Sequence, residues 1–288
     1  QEIYDDTKSS LLEHFCAESH LEWEIGILAG SGTSALEAMI VSLLPENCTL
    51  IVAGKYGLRA KKILEINSIN HSVVTVNTVS ELKLDLKARH LYFVENETTT
   101  GEKFSLEEIC TKFPNADLYI DATSAFGATD YSPYLERIKS LSFCSNKCLQ
   151  APAGLGVVIY QKSAPLYSRN SYTLNLENYK RQMPFTIPPQ LICALNISLG
   201  QGSFSPDIFT SRRDRLVKDM GNMGIQCINE VPSNTIIGFK HPTKTYTELQ
   251  HFLSERGIII YSGLPGIELS FRVSTMSVLF DKFYDKIV

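Results

Sequence analysis

The feature that most constrains the fold is the regular alternation of short apolar runs with amphipathic stretches along the first 160 of the 288 residues. The amphipathic stretches at 34–44, 58–66 and 105–113 have the apolar spacing of helices. Strand–helix alternation predicts an α/β fold, with a mostly parallel sheet between helices and ligands at the carboxyl ends of the strands. The predicted strands are 49–52, 71–76, 90–94, 118–121, 140–144 and 156–160.

The pattern changes near residue 205. Strands predicted at 235–239, 258–261 and 269–273 alternate with helices at 246–256 and 277–288, and a helix near 190–199 precedes them. We therefore predict a large domain at 1–204 and a smaller C-terminal α+β domain at 205–288. Because the chain starts directly in a helix-like segment, from Asp5 to Cys16, we expect that N-terminal residues are missing.

Composition disfavours several classes of partner. The formal net charge is −4 and no run of five basic residues occurs, which argues against nucleic acid and for a small-molecule substrate. Seven cysteines lie scattered without a CxxC pair, so we expect no metal site, no disulfide and a reducing cytoplasm. The apolar runs are too short to span a membrane.

Two segments could serve a phosphorylated ligand. Gly30-Ser-Gly-Thr-Ser-Ala-Leu-Glu37 opens an amphipathic helix with small residues, and free N–H groups at a helix start bind phosphate. An ordinary helix cap explains this segment equally well. Asp121 ends an apolar strand at the edge where ligands bind, although a turn or cap acid would look the same.

Lys147 follows the predicted strand 140–144 in a nearly uncharged stretch. Most lysines lie in solvent, but one held among apolar neighbours is more easily deprotonated and becomes nucleophilic. Asp121 and Lys147 are 26 residues apart, and each lies at the end of one of two neighbouring predicted strands. Pyridoxal 5'-phosphate (PLP) needs a phosphate anchor, a carboxylate at its ring nitrogen and a lysine for its aldehyde. The three segments together predict a PLP site in which Lys147 forms a Schiff base.

At this point the sequence resembles a known family, the class V aminotransferases, and within it the branch that acts on 2-aminoethylphosphonate and pyruvate. The resemblance implies the fold-type-I PLP-transferase architecture over nearly the whole chain. ETTTG and SNKC-Q are its most specific pieces. The matching segments are GSGTSALEA (30–38), GKYGLRA (54–60), ENETTTG (95–101), IDATSAFG (120–127), SNKCLQAPAGLGVVI (145–159), SRNSYTLNL (168–176), PFTIPP (184–189), GIIIYSG (257–263) and FRVS (271–274).

The resemblance also implies a role for each matching residue. Lys147 and Asp121 would be catalytic, and Arg272 would clamp the substrate carboxylate. Thr186 would reach the phosphate from a second subunit, so a homodimer with shared active sites is implied. The other implied cofactor contacts are Ser31, Gly32 and Thr33 at the phosphate, Tyr56 and Thr123 on the two ring faces, and Thr98 or Thr99 at the phenolic oxygen.

The implied reaction moves an amino group from 2-aminoethylphosphonate to pyruvate, giving phosphonoacetaldehyde and alanine. Three departures leave alternatives open: no Pro-Gly-Pro segment precedes Gln1, the stretch 271–277 lacks the family glycines, and Gln150 is followed by Ala-Pro-Ala-Gly. The alternatives are transamination of the alanine–glyoxylate or serine–pyruvate type, a PLP lyase, or a non-catalytic PLP-fold subunit. Arg169 could meet a phosphonate or be a surface residue.

Overall fold

The computed structural model describes residues 1–16, 22–83, 87–180 and 183–288. Its helices are α1 (Glu2–Phe15), α2 (Gly32–Leu43), α3 (Lys55–Ile66), α4 (Leu106–Lys112), α5 (Pro189–Gly200), α6 (Pro206–Asn222), α7 (Tyr246–Ser254) and α8 (Tyr284–Ile287). Its strands are β1 (Trp23–Ala29), β2 (Cys48–Val52), β3 (His71–Thr75), β4 (His90–Val94), β5 (Asn96–Glu97), β6 (Glu102–Lys103), β7 (Asp117–Asp121), β8 (Ile138–Cys144), β9 (Leu155–Gln161), β10 (Gln226–Cys227), β11 (Ile236–Lys240), β12 (Tyr261–Ser262) and β13 (Ser270–Ser274).

Seven strands form one large sheet, in the order β1-β9-β8-β7-β4-β2-β3. Its central strands β8, β7, β4 and β2 and the edge strand β3 pair in parallel, whereas β9 runs antiparallel to both of its neighbours. Strands such as β2 are buried along their whole length, because helices cover both faces of the sheet. The mostly parallel mixed sheet predicted from the sequence is confirmed.

The large sheet orients four chain segments toward one edge. Helix α2 packs on β8 and β9, and two residues separate its start from the end of β1. The parallel strands β4, β7 and β8 end at this same edge, at Val94, Asp121 and Cys144. The start of α2 and the loops after these strands therefore face one another, as expected for a ligand site in a sheet of this kind.

A smaller antiparallel sheet, in the order β10-β11-β13-β12, follows in the last third of the chain. Its core includes Ile237, Phe239, Phe271 and Val273. Two predictions here are partly wrong. The apolar run at 258–261 contributes only Tyr261 to a strand, and the helix predicted at 277–288 is reduced to a 3₁₀ turn at Asp281–Phe283 and the short α8. The domain boundary at 204/205 stays a prediction.

Two absences apply only to residues 1–16, 22–83, 87–180 and 183–288. Within these ranges no helix is both long enough and apolar enough to cross a membrane. The same ranges contain no cluster of three or more His, Cys, Asp or Glu side chains arranged to hold a metal ion.

Candidate active site

A cavity of about 190 Å³ lies at the sheet edge where α2 begins and where β4, β7 and β8 end. Seven of the eleven predicted site residues line it: Ser31, Gly32, Thr33, Tyr56, Asp121, Thr123 and Lys147. The cavity is also lined by residues that the sequence analysis did not single out, among them Arg59, Asn96, Ser124 and Cys144. The fold thus brings together segments that lie more than 100 residues apart in the chain.

One end of the cavity is the start of α2. Ser31 is the N-cap residue, and its N–H donates to Ser34 Oγ at 3.3 Å. Arg59 donates from NH1 to Thr33 Oγ1 at 2.9 Å, so a guanidinium adds positive charge to the helix start. A Cβ atom on Gly32 would lie 3.1 Å from Thr123 Cγ2, closer than most side-chain contacts. Glycine at this position therefore leaves space in the cavity at the start of α2. The positive charge of Arg59 and the N–H groups of the helix start suit a phosphate.

Asp121 is the last residue of β7 and is 4% exposed. Its Oδ1 accepts from the Thr123 N–H at 3.0 Å. Burial raises the pKa of this carboxyl, and the Thr123 hydrogen bonds lower it only in part. Within the described residues no basic side chain forms an ion pair with Asp121. A buried carboxylate without a cation is costly, so the position suits a cationic ligand group such as a protonated ring nitrogen.

Lys147 lies in the turn after β8 and is partly exposed. Hydrogen bonds shape this turn: Ala151 N–H donates to Ser145 O at 3.0 Å, and Ser145 Oγ donates to Pro152 O at 2.6 Å. Lys147 Nζ makes no hydrogen bond or ion pair within the four described ranges. Its amine is therefore available to a carbonyl group held in the cavity.

Tyr56 is held in the cavity wall by a residue that the sequence analysis missed. Glu97 Oε2 accepts from the N–H groups of Tyr56 and Gly57, at 3.0 and 3.1 Å, and so caps the start of α3. The Arg59 guanidinium lies 4.8 Å from the centroid of the Tyr56 ring. Glu97 thus fixes the backbone that presents the aromatic ring.

The remaining four predicted residues do not line this cavity. Thr99 Oγ1 donates to Glu97 Oε1 at 2.5 Å and accepts from Lys55 N–H at 3.1 Å, so its hydroxyl is already engaged. Thr98 is buried beside it, and its carbonyl accepts from Arg272 NH1. Thr186 is exposed.

Arg272 lies on β13 and connects the small sheet to the segment after β4. Besides Thr98 O, it donates from Nε to Ser262 O at 2.8 Å. Burial lowers the pKa of this guanidinium, while the nearby phenols of Tyr56 and Tyr261 act in the opposite direction. Arg272 therefore lies near Tyr56, and some of its N–H groups already donate hydrogen bonds to backbone carbonyls.

Asn96 supplies an acceptor to the cavity. It is 3% exposed, and its Nδ2 donates to Ser124 O at 2.9 Å and Thr235 Oγ1 at 3.2 Å. Its Oδ1 is buried and has no partner among the described residues. Buried polar atoms are nearly always paired, so an orphaned acceptor at a cavity indicates a ligand. Gly32 leaves space at the start of α2, and Asp121 has no ion-pair partner among the described residues. Together with Asn96 Oδ1, these residues fit PLP.

Arg169 lies at the opposite end of α2. It donates to Val41 O at 3.2 Å and forms an ion pair with Glu46 at 3.2 Å. The 12 residues of α2 span roughly 18 Å, which separates Arg169 from the cavity. Arg169 therefore does not reach the cavity of its own chain, and its guanidinium caps the carbonyl end of the helix. The hypothesis that Arg169 meets a phosphonate stays a prediction.

The chain is similar in sequence and in fold to known transaminases. No family model matches the chain. One curated relative is the 2-aminoethylphosphonate–pyruvate transaminase of Phocaeicola vulgatus, which is 26% identical over 91% of this chain and 82% of the relative's length. Another is the transaminase of the same name from Bacillus cereus, which is 27% identical over 91% of this chain and 81% of the relative's length. The structure of an aspartate aminotransferase of subgroup IV from Thermus thermophilus matches this chain over its whole length and over 91% of the aminotransferase chain. The TM-score is 0.83 and the sequence identity is 21%.

The chain has the fold of the aminotransferases. A PLP-bound phosphoserine aminotransferase from Trichomonas vaginalis also matches, over 99% of this chain and 87% of its own, with a TM-score of 0.76 and 17% identity. The resemblance and fold class predicted from the sequence are confirmed, and so are the enzyme class, a PLP-dependent transaminase, and the cofactor.

Proposed function

We propose that this transaminase moves the amino group of 2-aminoethylphosphonate to pyruvate, giving phosphonoacetaldehyde and alanine. The observation that carries the proposal is the single cavity shared by the start of α2, Asp121 and Lys147. The curated relatives named for this reaction, 26–27% identical, supply the substrate pair.

The chain's residues divide the work by chemistry. Ser31, Gly32 and Thr33 would hold the phosphate with N–H and hydroxyl groups, and Asp121 would face the ring nitrogen. Bound PLP supplies an electron sink for the substrate carbon. Asp121 would favour the protonated ring nitrogen, because its buried carboxylate would gain a cationic partner there.

Lys147 has two tasks in this proposal. Its amine would hold the aldehyde group of the cofactor. The same amine would serve as the acid–base group that moves a proton at the reacting carbon of the substrate. The absence of any competing partner for Nζ among the described residues supports both tasks.

Arg272 would bind the carboxylate of pyruvate, for which a planar guanidinium is suited. In the structure this guanidinium donates to Thr98 O and Ser262 O. A substrate carboxylate would therefore use the donors that remain, or replace one of these carbonyls.

We also infer a homodimer, since the exposed Thr186 matches the position that reaches the phosphate of a second subunit. A cytoplasmic location, suggested by seven scattered cysteines, belongs to the same proposal.

The test is single-turnover reaction of the PLP-loaded protein with different donors, followed by cofactor absorbance. We expect 2-aminoethylphosphonate to react faster than alanine, serine or aspartate. Faster reaction with alanine or serine would place the chain in the alanine–glyoxylate or serine–pyruvate class. No reaction with any donor, while PLP stays bound, would indicate a non-catalytic subunit.

A further inference from the structure

A second cavity, of about 510 Å³, adjoins the first at Lys147. Asn146 and Lys147 line both cavities. The second cavity lies between the turn after β8 and the C-terminal part of the chain, which contributes Ile259, Tyr261, Ser274 and the segment 276–279. Its volume is within the range of roughly 300–1,000 Å³ that small ligands occupy. A substrate that reacts at Lys147 therefore has room for a side chain in this space.

Three apolar side chains of this cavity are open to solvent. Ile259 is 80% exposed, Val278 57% and Leu279 46%. Ile258 and Ile260, on either side of Ile259, pack in the core of the small sheet, so Ile259 contributes little to that core. Exposed apolar side chains that are grouped in one place are typical of a binding site. Ile259, Val278 and Leu279 form the apolar wall of the second cavity, and a ligand in the cavity can reach them.

The turn that carries Val278 and Leu279 is held in place at both ends. Leu279 N–H donates to Ser277 Oγ at 3.1 Å. Phe280 follows directly and is 2% exposed, so it anchors the turn in the core of the small sheet. The two apolar side chains are therefore presented to the cavity by ordered backbone.

The second cavity has few charged groups. Lys147 and Tyr261 are its ionisable lining side chains, and no carboxylate or arginine from the described part of the chain lines it. A side chain that ends in a carboxylate would lose hydration here without gaining a guanidinium partner. An alkyl side chain has no polar group to desolvate, and it would bury apolar area against the wall. The lining therefore favours an apolar side chain.

We propose that this transaminase also accepts α-amino acids with unbranched alkyl side chains, which pack on the apolar wall. The donor carbon loses its amino group and one hydrogen and gains the carbonyl oxygen that pyruvate gives up. The products are a 2-oxo acid and alanine, so no oxidant or reductant is consumed. This inference rests on the proposed reaction with pyruvate, because its product alanine is the shortest alkyl member of the same series.

The first measurement is the single-turnover rate of the PLP-loaded protein with alanine, 2-aminobutyrate, norvaline and norleucine, whose side chains lengthen by one CH₂ at a time. Full burial of one CH₂ changes an equilibrium constant about fourfold. On a wall that is open on one side we expect half of that free energy, or roughly twofold per CH₂. At low donor concentration norleucine should therefore react roughly eightfold faster than alanine. Glutamate, which carries a side-chain carboxylate, should react more slowly than norleucine.

The variants change the wall without touching the first cavity. Ile259→Ser combined with Leu279→Ser removes most of the apolar wall, whereas Ile259→Leu keeps it apolar. Ile66→Ser is the matched control, since Ile66 is an apolar residue at the end of α3 that is 67% exposed. The norleucine-to-alanine rate ratio should fall about threefold or more in the double serine variant. It should stay near the wild-type value in the other two proteins.

The second measurement separates binding from catalysis. Calorimetry on the PLP-loaded protein gives the dissociation constants of hexanoate and propionate, which are norleucine and alanine without their amino groups. Hexanoate should bind to wild type roughly eightfold more tightly than propionate. This difference should shrink in the double serine variant and persist in Ile259→Leu.

Three outcomes would overturn the inference: equal rates for alanine and norleucine, equal binding of hexanoate and propionate, or a rate ratio that survives in the double serine variant. A wall covered by a second subunit would give the first two results. The reaction with 2-aminoethylphosphonate separates this failure from failure of the proposed function. If 2-aminoethylphosphonate reacts and chain length has no effect, only the apolar wall is wrong. If it does not react while the rates rise from alanine to norleucine, the wall stands and the proposed donor is wrong.

Discussion

Asp121→Asn should make the PLP-free protein more stable while it damages catalysis. The buried carboxylate of Asp121 has a raised pKa because burial is only partly offset by Thr123. A carboxyl whose pKa is raised by folding loses stability as pH rises through that pKa. At pH 7 to 8 the substitution by a neutral amide therefore removes the free-energy cost of a buried carboxylate charge. At pH 4 it removes little of that cost.

The size of the effect follows from the burial of Asp121 and its lack of an ionic partner. A buried polar group left without its proper partner costs about 1–3 kcal/mol. In a chain of this size, 1 kcal/mol corresponds to roughly 2–4 °C in Tm. We expect PLP-free Asp121→Asn to melt about 2–12 °C above wild type at pH 7.5. Its half-reaction with the preferred donor should be slower by about 10²–10³-fold, as for other lost electrostatic groups.

The assay is thermal denaturation of PLP-free and PLP-loaded forms at pH 4.5 and 7.5, with single-turnover rates on the same samples. PLP should stabilise wild type more than the variant, because only the carboxylate gains a charge partner. An equal gain from PLP in both proteins, or a near-normal rate in the variant, would refute the role of Asp121.

Three further predictions follow from the site. Arg272→Lys should raise the KM for pyruvate by about one to two decades, because a planar guanidinium–carboxylate pair worth roughly 1.5–3 kcal/mol is lost. The half-reaction with 2-aminoethylphosphonate should change little. Steady-state kinetics measure both effects, and equal effects on the two half-reactions would contradict the prediction. Glu97→Ala should lower Tm by roughly 2–8 °C, because the hydrogen bonds from the Tyr56 and Gly57 N–H groups to Glu97 contribute about 1–2 kcal/mol to the free energy of unfolding. An unchanged melting curve would argue against this helix cap. Glu95→Gln should gain stability relative to wild type as pH rises from 5 to 8, because burial raises the pKa of Glu95; urea unfolding at both pH values tests the sign.

The strands of the large sheet could be predicted where both faces are buried. Cys48–Val52 and Asp117–Asp121 are almost continuous apolar runs, which is the pattern of parallel central strands. Strand β1 was not predicted, because Glu24 and Gly26 interrupt its apolar run. A Cβ at Gly26 would lie 2.8 Å from Leu176 Cδ2, so a larger residue there would require the Leu176 side chain to shift.

The C-terminal elements were harder to predict for the opposite reason. Helix α6 is largely charged and buries only a few side chains, among them Phe209 and Leu216, so its apolar pattern is sparse. The run at 258–261 looked like a strand, yet Ile259 is 80% exposed. In the structure Ile258 and Ile260 pack in the core of the small sheet, and Tyr261 pairs with β13.

The candidate site could be predicted from the sequence only in part. Asp121 and Lys147 could be recognised because Asp121 ends one strand and Lys147 closely follows the next. Arg59, Asn96 and Glu97 were missed because their roles depend on contacts between different elements, such as Arg59 with Thr33 at 2.9 Å. The spacing of Tyr56 and Arg59, three residues apart on one helix face, was the available signal.

The most direct test of this account is the location of the covalent bond between the protein and PLP. Borohydride reduction of the PLP-loaded protein makes that bond permanent, and peptide mass spectrometry then locates the added mass. The account predicts the label on Lys147 alone, with no label and no reducible absorbance in Lys147→Ala. A label on another lysine, or reducible absorbance that persists in the variant, would contradict it.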